Sequence, residues 1–189
     1  MKKLFVLTLM LLAARLLLAQ VSYVRVEESQ TKYEQLTLQA GIQCRITDYE
    51  IPTQYAQLFH DKEVSVRVVD VGGTPRYFYR FYRKEVKEQP AAEVFVAYDD
   101  FVEIDRVLES MIAEEHKDKS ARKDYCENFY RTDDGFVIGY SIKNRQTNWY
   151  LVLDRYNEDK VIFDNGTKLK DHFKKVLAKF EEVKKKNGN

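Results

Sequence analysis

Cysteine, histidine, tryptophan, glycine and proline are all scarce in this chain, which has two, three, one, seven and three of them in 189 residues. Two cysteines and three scattered histidines make no zinc-ligand spacing, so a structural metal is not expected. Motifs of the types GxSxG, GxxxxGK(S/T), HExxH and GxGxxG are absent, and no cysteine has a histidine and asparagine that spacing would single out. Neither nucleophile, phosphate cradle nor cofactor fingerprint can be assigned, so no catalytic residue, metal or cofactor is expected. Charge of one sign is lacking as well: 31 Lys and Arg against 30 Asp and Glu give +1, evenly mixed. Such a balance gives no electrostatic reason to expect nucleic acid or an anionic membrane as partner.

One apolar run stands out. Residues 1–19, MKKLFVLTLMLLAARLLLA, place Lys2 and Lys3 before an apolar stretch and end on the small Ala19. This reads as a secretory signal peptide cut ahead of Gln20, with export to a periplasmic or extracellular compartment. An uncleaved anchor is the alternative, against which Arg15 interrupts the run; no stable membrane span is expected once the signal is gone. Losing Lys2, Lys3 and Arg15 leaves a slightly acidic chain of roughly 170 residues, enough to bury a core without staples. In an oxidising compartment Cys44 and Cys126 can form one disulfide or stay as two buried thiols, and spacing does not choose between these.

Residues 20–32 are polar and mixed and read as a flexible leader or an irregular first strand. From Tyr33 to Ile51, Leu36 and Leu38 alternate with polar neighbours, Gly41 interrupts, and Ile42, Cys44 and Ile46 alternate again, which predicts two short strands or one bent at Gly41. Residues 51–63, including His60 and Asp61, have no clean period. Gly72-Gly73 joins the alternating run from Val64 to the aromatic run Arg76–Lys84 as a tight hairpin. Residues 93–98 form a short strand, and Asp99 or Asp100 is expected to cap the helix that follows. Its apolar stripe is Phe101, Ile104, Val107, Leu108, Met111 and Ile112.

The grammar then repeats. Asp134-Gly135 turns the chain between two alternating runs, Asn144 to Thr147 and Asn157 to Asp159 turn it again, and a helix capped by Asn165 or Thr167 carries Leu169, Phe173, Val176, Leu177, Phe180 and Val183. Ile104, Val107 and Leu108 answer Phe173, Val176 and Leu177 at an offset of 69 (173 − 104). The expected fold is therefore α+β: two antiparallel four-stranded sheets, each followed by one amphipathic helix, in a single domain over residues 33–186. Its halves are 33–118 and 119–186, with an internal duplication as one reading. The two helices are expected to lie side by side.

Chemistry-bearing side chains mostly have ordinary roles. Asp99 with Asp100 and Asp133 with Asp134 fall where a cap and a turn need them. His116 suits a helix end, and His172 is placed on the solvent side of its helix. The unusual stretch is Arg76-Tyr77-Phe78-Tyr79-Arg80-Phe81-Tyr82-Arg83-Lys84. On a strand, Tyr77, Tyr79, Phe81 and Arg83 share one face, and Arg76, Phe78, Arg80, Tyr82 and Lys84 the other. With Trp149 as an extension, the second face would stack rings and hold anionic groups.

Four strands and a helix, taken twice over roughly residues 64–185, resembles the Whirly group of single-strand nucleic-acid-binding proteins, in which two such repeats pack their sheets and cross their helices. The lysine-glycine-lysine-alanine-alanine-leucine signature of plant Whirly proteins is absent, so no nucleic-acid-contacting residue is carried over. Export and the slightly acidic mature chain also argue against that role. The expectation is an exported, non-enzymatic binding or structural module acting through a sheet face or the helix pair, with a protein or glycan partner and a homodimer among its assemblies. The alternative is a binder of glycan or polyanionic ligand through strand 76–84.

Overall fold

A computed structural model describes residues 30–52, 62–85, 91–121, 124–154, 157–163 and 165–188. The expected signal peptide, most of the expected leader and His60 lie outside the described residues. Helix α1 (Lys32–Thr37) precedes strands β1 (Cys44–Glu50), β2 (Lys62–Val71), β3 (Thr74–Arg83) and β4 (Ala92–Ala97) and helix α2 (Tyr98–Ser120). The second half runs β5 (Tyr125–Arg131), β6 (Val137–Lys143), β7 (Gln146–Asp154), β8 (Asn157–Phe163) and helix α3 (Gly166–Lys186). Each half is an antiparallel four-stranded meander, β1-β2-β3-β4 and β5-β6-β7-β8, closed by one long helix. The fold is α+β, as the two periods in the sequence indicate. Among the described residues no helix is long and apolar enough to cross a membrane.

The central hairpins owe their shape to left-handed turn residues. Gly72 and Gly73 have φ of 60° and 84°, and Asn144 and Arg145 have φ of 51° and 65°. Two consecutive positive φ angles match the twist of a two-residue hairpin; glycine takes them freely, whereas Arg145 does so at a cost. The second turn is thus centred on Asn144-Arg145, with Thr147 already inside β7. Likewise β8 starts at Asn157, where a turn was expected.

The halves share a register, but not the one the helix stripes suggest. Gly72 and Asn144 are 72 positions apart (144 − 72), and at the same spacing the pair Val66 and Tyr79 of β2–β3 corresponds to Ile138 and Leu151 of β6–β7. The four buried apolar residues of α2, Phe101, Ile104, Leu108 and Met111, then fall on Phe173, Val176, Phe180 and Val183 of α3, all buried. An apolar stripe that recurs every three or four residues superposes on itself after a shift of three, so sequence alone settles on 69. Burial removes the ambiguity. The two stripes pack against each other in one core with the inner faces of both sheets, and Phe101 meets Phe173 edge-on at 4.7 Å.

Two local expectations are corrected. Tyr33 to Leu38 is not strand: Thr31 and Glu34 form a reciprocal capping box, with the Thr31 N–H donating to Glu34 Oε2 at 2.7 Å and the Glu34 N–H to Thr31 Oγ1 at 3.2 Å. That nucleates α1 and overrides the alternation of Leu36 and Leu38. Helix α2 begins one residue before its aspartates, at Tyr98, and Ala97 caps it without a side-chain bond. Asp99 and Asp100 sit in the first turn, where they face the positive end of the helix dipole. Asn165 does cap α3, accepting from the Lys168 N–H at 2.9 Å.

Gly166, first residue of α3, lies against the core. A Cβ there would stand 2.8 Å from both Ile112 Cγ1 and the Trp149 ring. Gly166→Ala should therefore lower unfolding free energy by about 1–3 kcal/mol in urea titration, the range for overpacking a dense core, despite alanine's higher helix propensity.

Candidate functional site

Strand β3 divides its faces as its alternation dictates. Tyr79 and Phe81 are 0% and 1% exposed beneath the helices. The opposite face carries Arg76, Phe78, Arg80 and Tyr82, with Lys84 just beyond the strand, and apart from Arg76 it is neither open nor a row of unpaired cations. Helix α1 lies over part of it. Tyr33 stacks on Phe95 of β4 with ring centres 3.6 Å apart and meets Phe78 edge-on at 5.3 Å. Phe78 is consequently buried. Asp134 holds α1 in place by accepting the Lys32 N–H at 3.1 Å, while the Lys32 ammonium pairs with Asp100.

Arg80 and Lys84 are neutralised by carboxylates that only strand pairing brings near. Arg80 donates from Nε to Glu93 Oε1 at 2.6 Å, lies 3.8 Å from Glu63, and covers the Tyr82 ring at 5.0 Å. Lys84 pairs with Glu63 at 2.9 Å. Arg67 of β2, which the sequence did not single out, gives Nε and Nη2 to the two oxygens of Asp48, each at 2.7 Å, donates from Nη1 to the Tyr33 hydroxyl at 3.0 Å, and lies over Phe95 at 4.9 Å. This bidentate bond to Asp48 raises the Arg67 pKa further above its ordinary value. Arg76 is exposed and makes no ion pair among the described residues. It borders a groove of about 470 Å³ between α1 and β3, lined also by Leu36, Pro75 and Tyr98.

Trp149 does not extend this surface. It is 0% exposed on the inner face of β7, tilted on Tyr140 at 4.9 Å, with its indole N–H donating to Glu115 of α2 at 3.0 Å. No disulfide joins Cys44 and Cys126, which lie on the first strands of different sheets, and Cys44 Sγ donates to the Leu36 carbonyl at 3.7 Å. His172 is corrected too: it is 2% exposed, not solvent-facing, with Nε2 3.0 Å from the Tyr79 hydroxyl. Burial, with a smaller contribution from the Lys175 cation, lowers its pKa to about 4, and burial raises that of Tyr79 far above the phenol range. A protonated phenol donating to a neutral imidazole satisfies both groups.

The outer face of the second sheet is different. Register aligns Phe129, Gly139, Tyr150 and Ile162 in one row across β5, β6, β7 and β8. Gly139 makes a trough in this row: a Cβ there would come within 2.8 Å of Phe129 Cβ and Tyr150 Oη. The Tyr150 ring lies in it, with its hydroxyl donating to Glu127 at 2.6 Å and the Lys160 ammonium 4.0 Å over the ring. Phe129 and Ile162 at the ends of the row are 53% and 45% exposed, and Tyr125 on the same face is 55% exposed. Alternation along β5, YCENFYR, places Tyr125 and Phe129 on one face; only register shows that the row continues to Ile162.

Among the described residues no cluster of three or more histidine, cysteine, aspartate or glutamate side chains could hold a metal ion. No protein-family model, curated protein or solved structure matches the chain.

Two outcomes are expected. An unfolded histidine titrates near about 6.5, so between about pH 6.5 and 4 the unfolded chain takes up a proton that folded His172 refuses. Its contribution is full above that window and falls as pH drops through it, by roughly 3 kcal/mol. Denaturant titrations of wild type and His172→Gln at a series of pH values should show this slope only in wild type. Arg67→Lys keeps the charge but cannot fork to Asp48 and reach Tyr33 together, and should cost about 1–2 kcal/mol by the same measurement.

Proposed function

We propose that this chain is an exported, non-enzymatic binding module whose recognition surface is the outer face of the second sheet and whose partner is a protein. The row Phe129, Gly139, Tyr150 and Ile162 carries the reading: it crosses all four strands and leaves two large apolar side chains about half exposed at its ends. Exposed aromatic and aliphatic groups beside a few charges are the composition of a protein-binding patch. Lys160 and Glu127 supply those charges at its centre. The helix pair, the other surface considered, spends its apolar stripes on the core. The strongly shifted groups, Tyr79, Tyr140, Tyr150 and His172, are accounted for by burial and hydrogen bonds, which supports structural rather than catalytic roles for them.

A glycan or polyanion at residues 76–84 remains the second reading, resting on Arg76 beside its groove. A photo-crosslinking residue at position 162 in the producing cell should give a discrete protein adduct, and the same residue at position 76 should not. Ile162→Asp, on an exposed site, should abolish partner binding with an unchanged melting temperature. An adduct from position 76 alone, or binding indifferent to Ile162→Asp, would reject the protein-partner reading.

A further inference from the structure

The sheets end in two first strands of opposite character. In β5 the Thr132 N–H donates to the Phe136 carbonyl at 2.9 Å, which sets the phase of the β5–β6 ladder. Alternate residues Asn128 and Tyr130 are then bonded to β6, while Glu127, Phe129 and Arg131 turn their N–H and C=O groups to the edge that no described strand covers. In β1 the Ile51 N–H donates to the Val64 carbonyl at 3.0 Å, and by the same alternation Cys44, Ile46, Asp48 and Glu50 face the edge that no described strand covers. Registers of two β1 edges that set Asp48 or Glu50 against Asp48 or Glu50 of another copy would bring carboxylates together, one of the ways an edge is kept single. Strand β5 carries charges of both signs at its edge instead, Glu127 and Arg131, on either side of the half-exposed Phe129.

We infer that β5 pairs antiparallel with β5 of a second copy, on a two-fold axis at Phe129. In that register Phe129 faces its own counterpart, and Glu127 of each copy faces Arg131 of the other. Arg131 is exposed and has no ion-pair partner within its own chain among the described residues, so the pairing gives it one. The register is self-complementary in charge, in apolar contact and in ladder phase, and adds about six backbone hydrogen bonds. It closes after two copies, as an isologous contact must, and joins the sheets into one of eight strands. This pairing does not depend on the binding reading above; it would place two recognition faces side by side.

Light scattering over a dilution series should show wild type passing from dimer to monomer. Arg131→Glu sets carboxylate against carboxylate at both ends and should weaken the dimer at least about tenfold. Glu127→Lys should do the same, and an equimolar mixture of the two variants should regain a dimer, since every facing pair is then of opposite sign. Phe129→Pro removes an N–H directed to the edge rather than to β6 and should leave a folded monomer. Phe129 and Arg131 amides should lose hydrogen-exchange protection on dilution. A wild type monomeric at every concentration, or a dimer indifferent to Arg131→Glu and Phe129→Pro, would overturn the inference. So would amide protection that persists in the diluted monomer, which would mean that another part of the chain covers the edge.

Discussion

The contact between the buried stripes of α2 and α3 is the constraint on which the other elements depend. Phe101, Ile104, Leu108 and Met111 on one side and Phe173, Val176, Phe180 and Val183 on the other are each 3% exposed or less. At roughly 1.5–3 kcal/mol gross for each side chain, this seam alone matches or exceeds a typical net stability of about 5–15 kcal/mol. Neither sheet can bury its inner face without it. The seam also explains the unpolarised placement of His172: α3 contacts β2 as well as β8, so the helix flank beside Phe173 meets the first sheet rather than water.

Around the seam, α2 contributes its polar side as well. Glu115 accepts from the Trp149 indole, Asp118 accepts from the Tyr140 hydroxyl at 2.7 Å, and Glu114 accepts from Asn128 at 2.8 Å. Lys170 of α3 donates to Glu109 at 2.7 Å and to the Asp105 carbonyl at 3.2 Å. These carboxylates satisfy donors at the border of the core, which lets the second sheet bury a tryptophan and a tyrosine without orphaned polar groups. Helix and sheet are held in rotation as well as in contact, because a turn of α2 about its axis would break all of these bonds together.

Much of this was legible because it is periodic or local. The stripes of α2 and α3, the Gly72-Gly73 and Asp134-Gly135 turns and the Asn165 cap each depend on residues within a few positions of one another. The failures are instructive in the same terms. Thr31 and Glu34 carry a capping signal, but the alternation of Leu36 and Leu38 looks like a strand until a cap is sought. Arg80 reads as a free cation because Glu93 and Glu63 become its neighbours only through strand register. Trp149 and Tyr150 are adjacent in sequence and sit on opposite faces of β7; no period decides which one is inside. His172 is misplaced because a single amphipathic stripe assumes one neighbouring layer, and α3 has more than one.

The 72-residue repeat has a consequence for which surface is left uncovered. In the first half, the segment ahead of the meander folds into α1 and shields part of the outer face through Tyr33. The equivalent positions in the second half, 104 to 109 by the same spacing, are already the middle of α2, whose inward residues Ile104 and Leu108 belong to the core. The chain that would supply a matching shield for the second sheet is thus already committed to the core. Among the described residues, the exposure of Phe129 and Ile162 therefore follows from element order: the helix that joins the halves is needed inside, so none is left to lie outside.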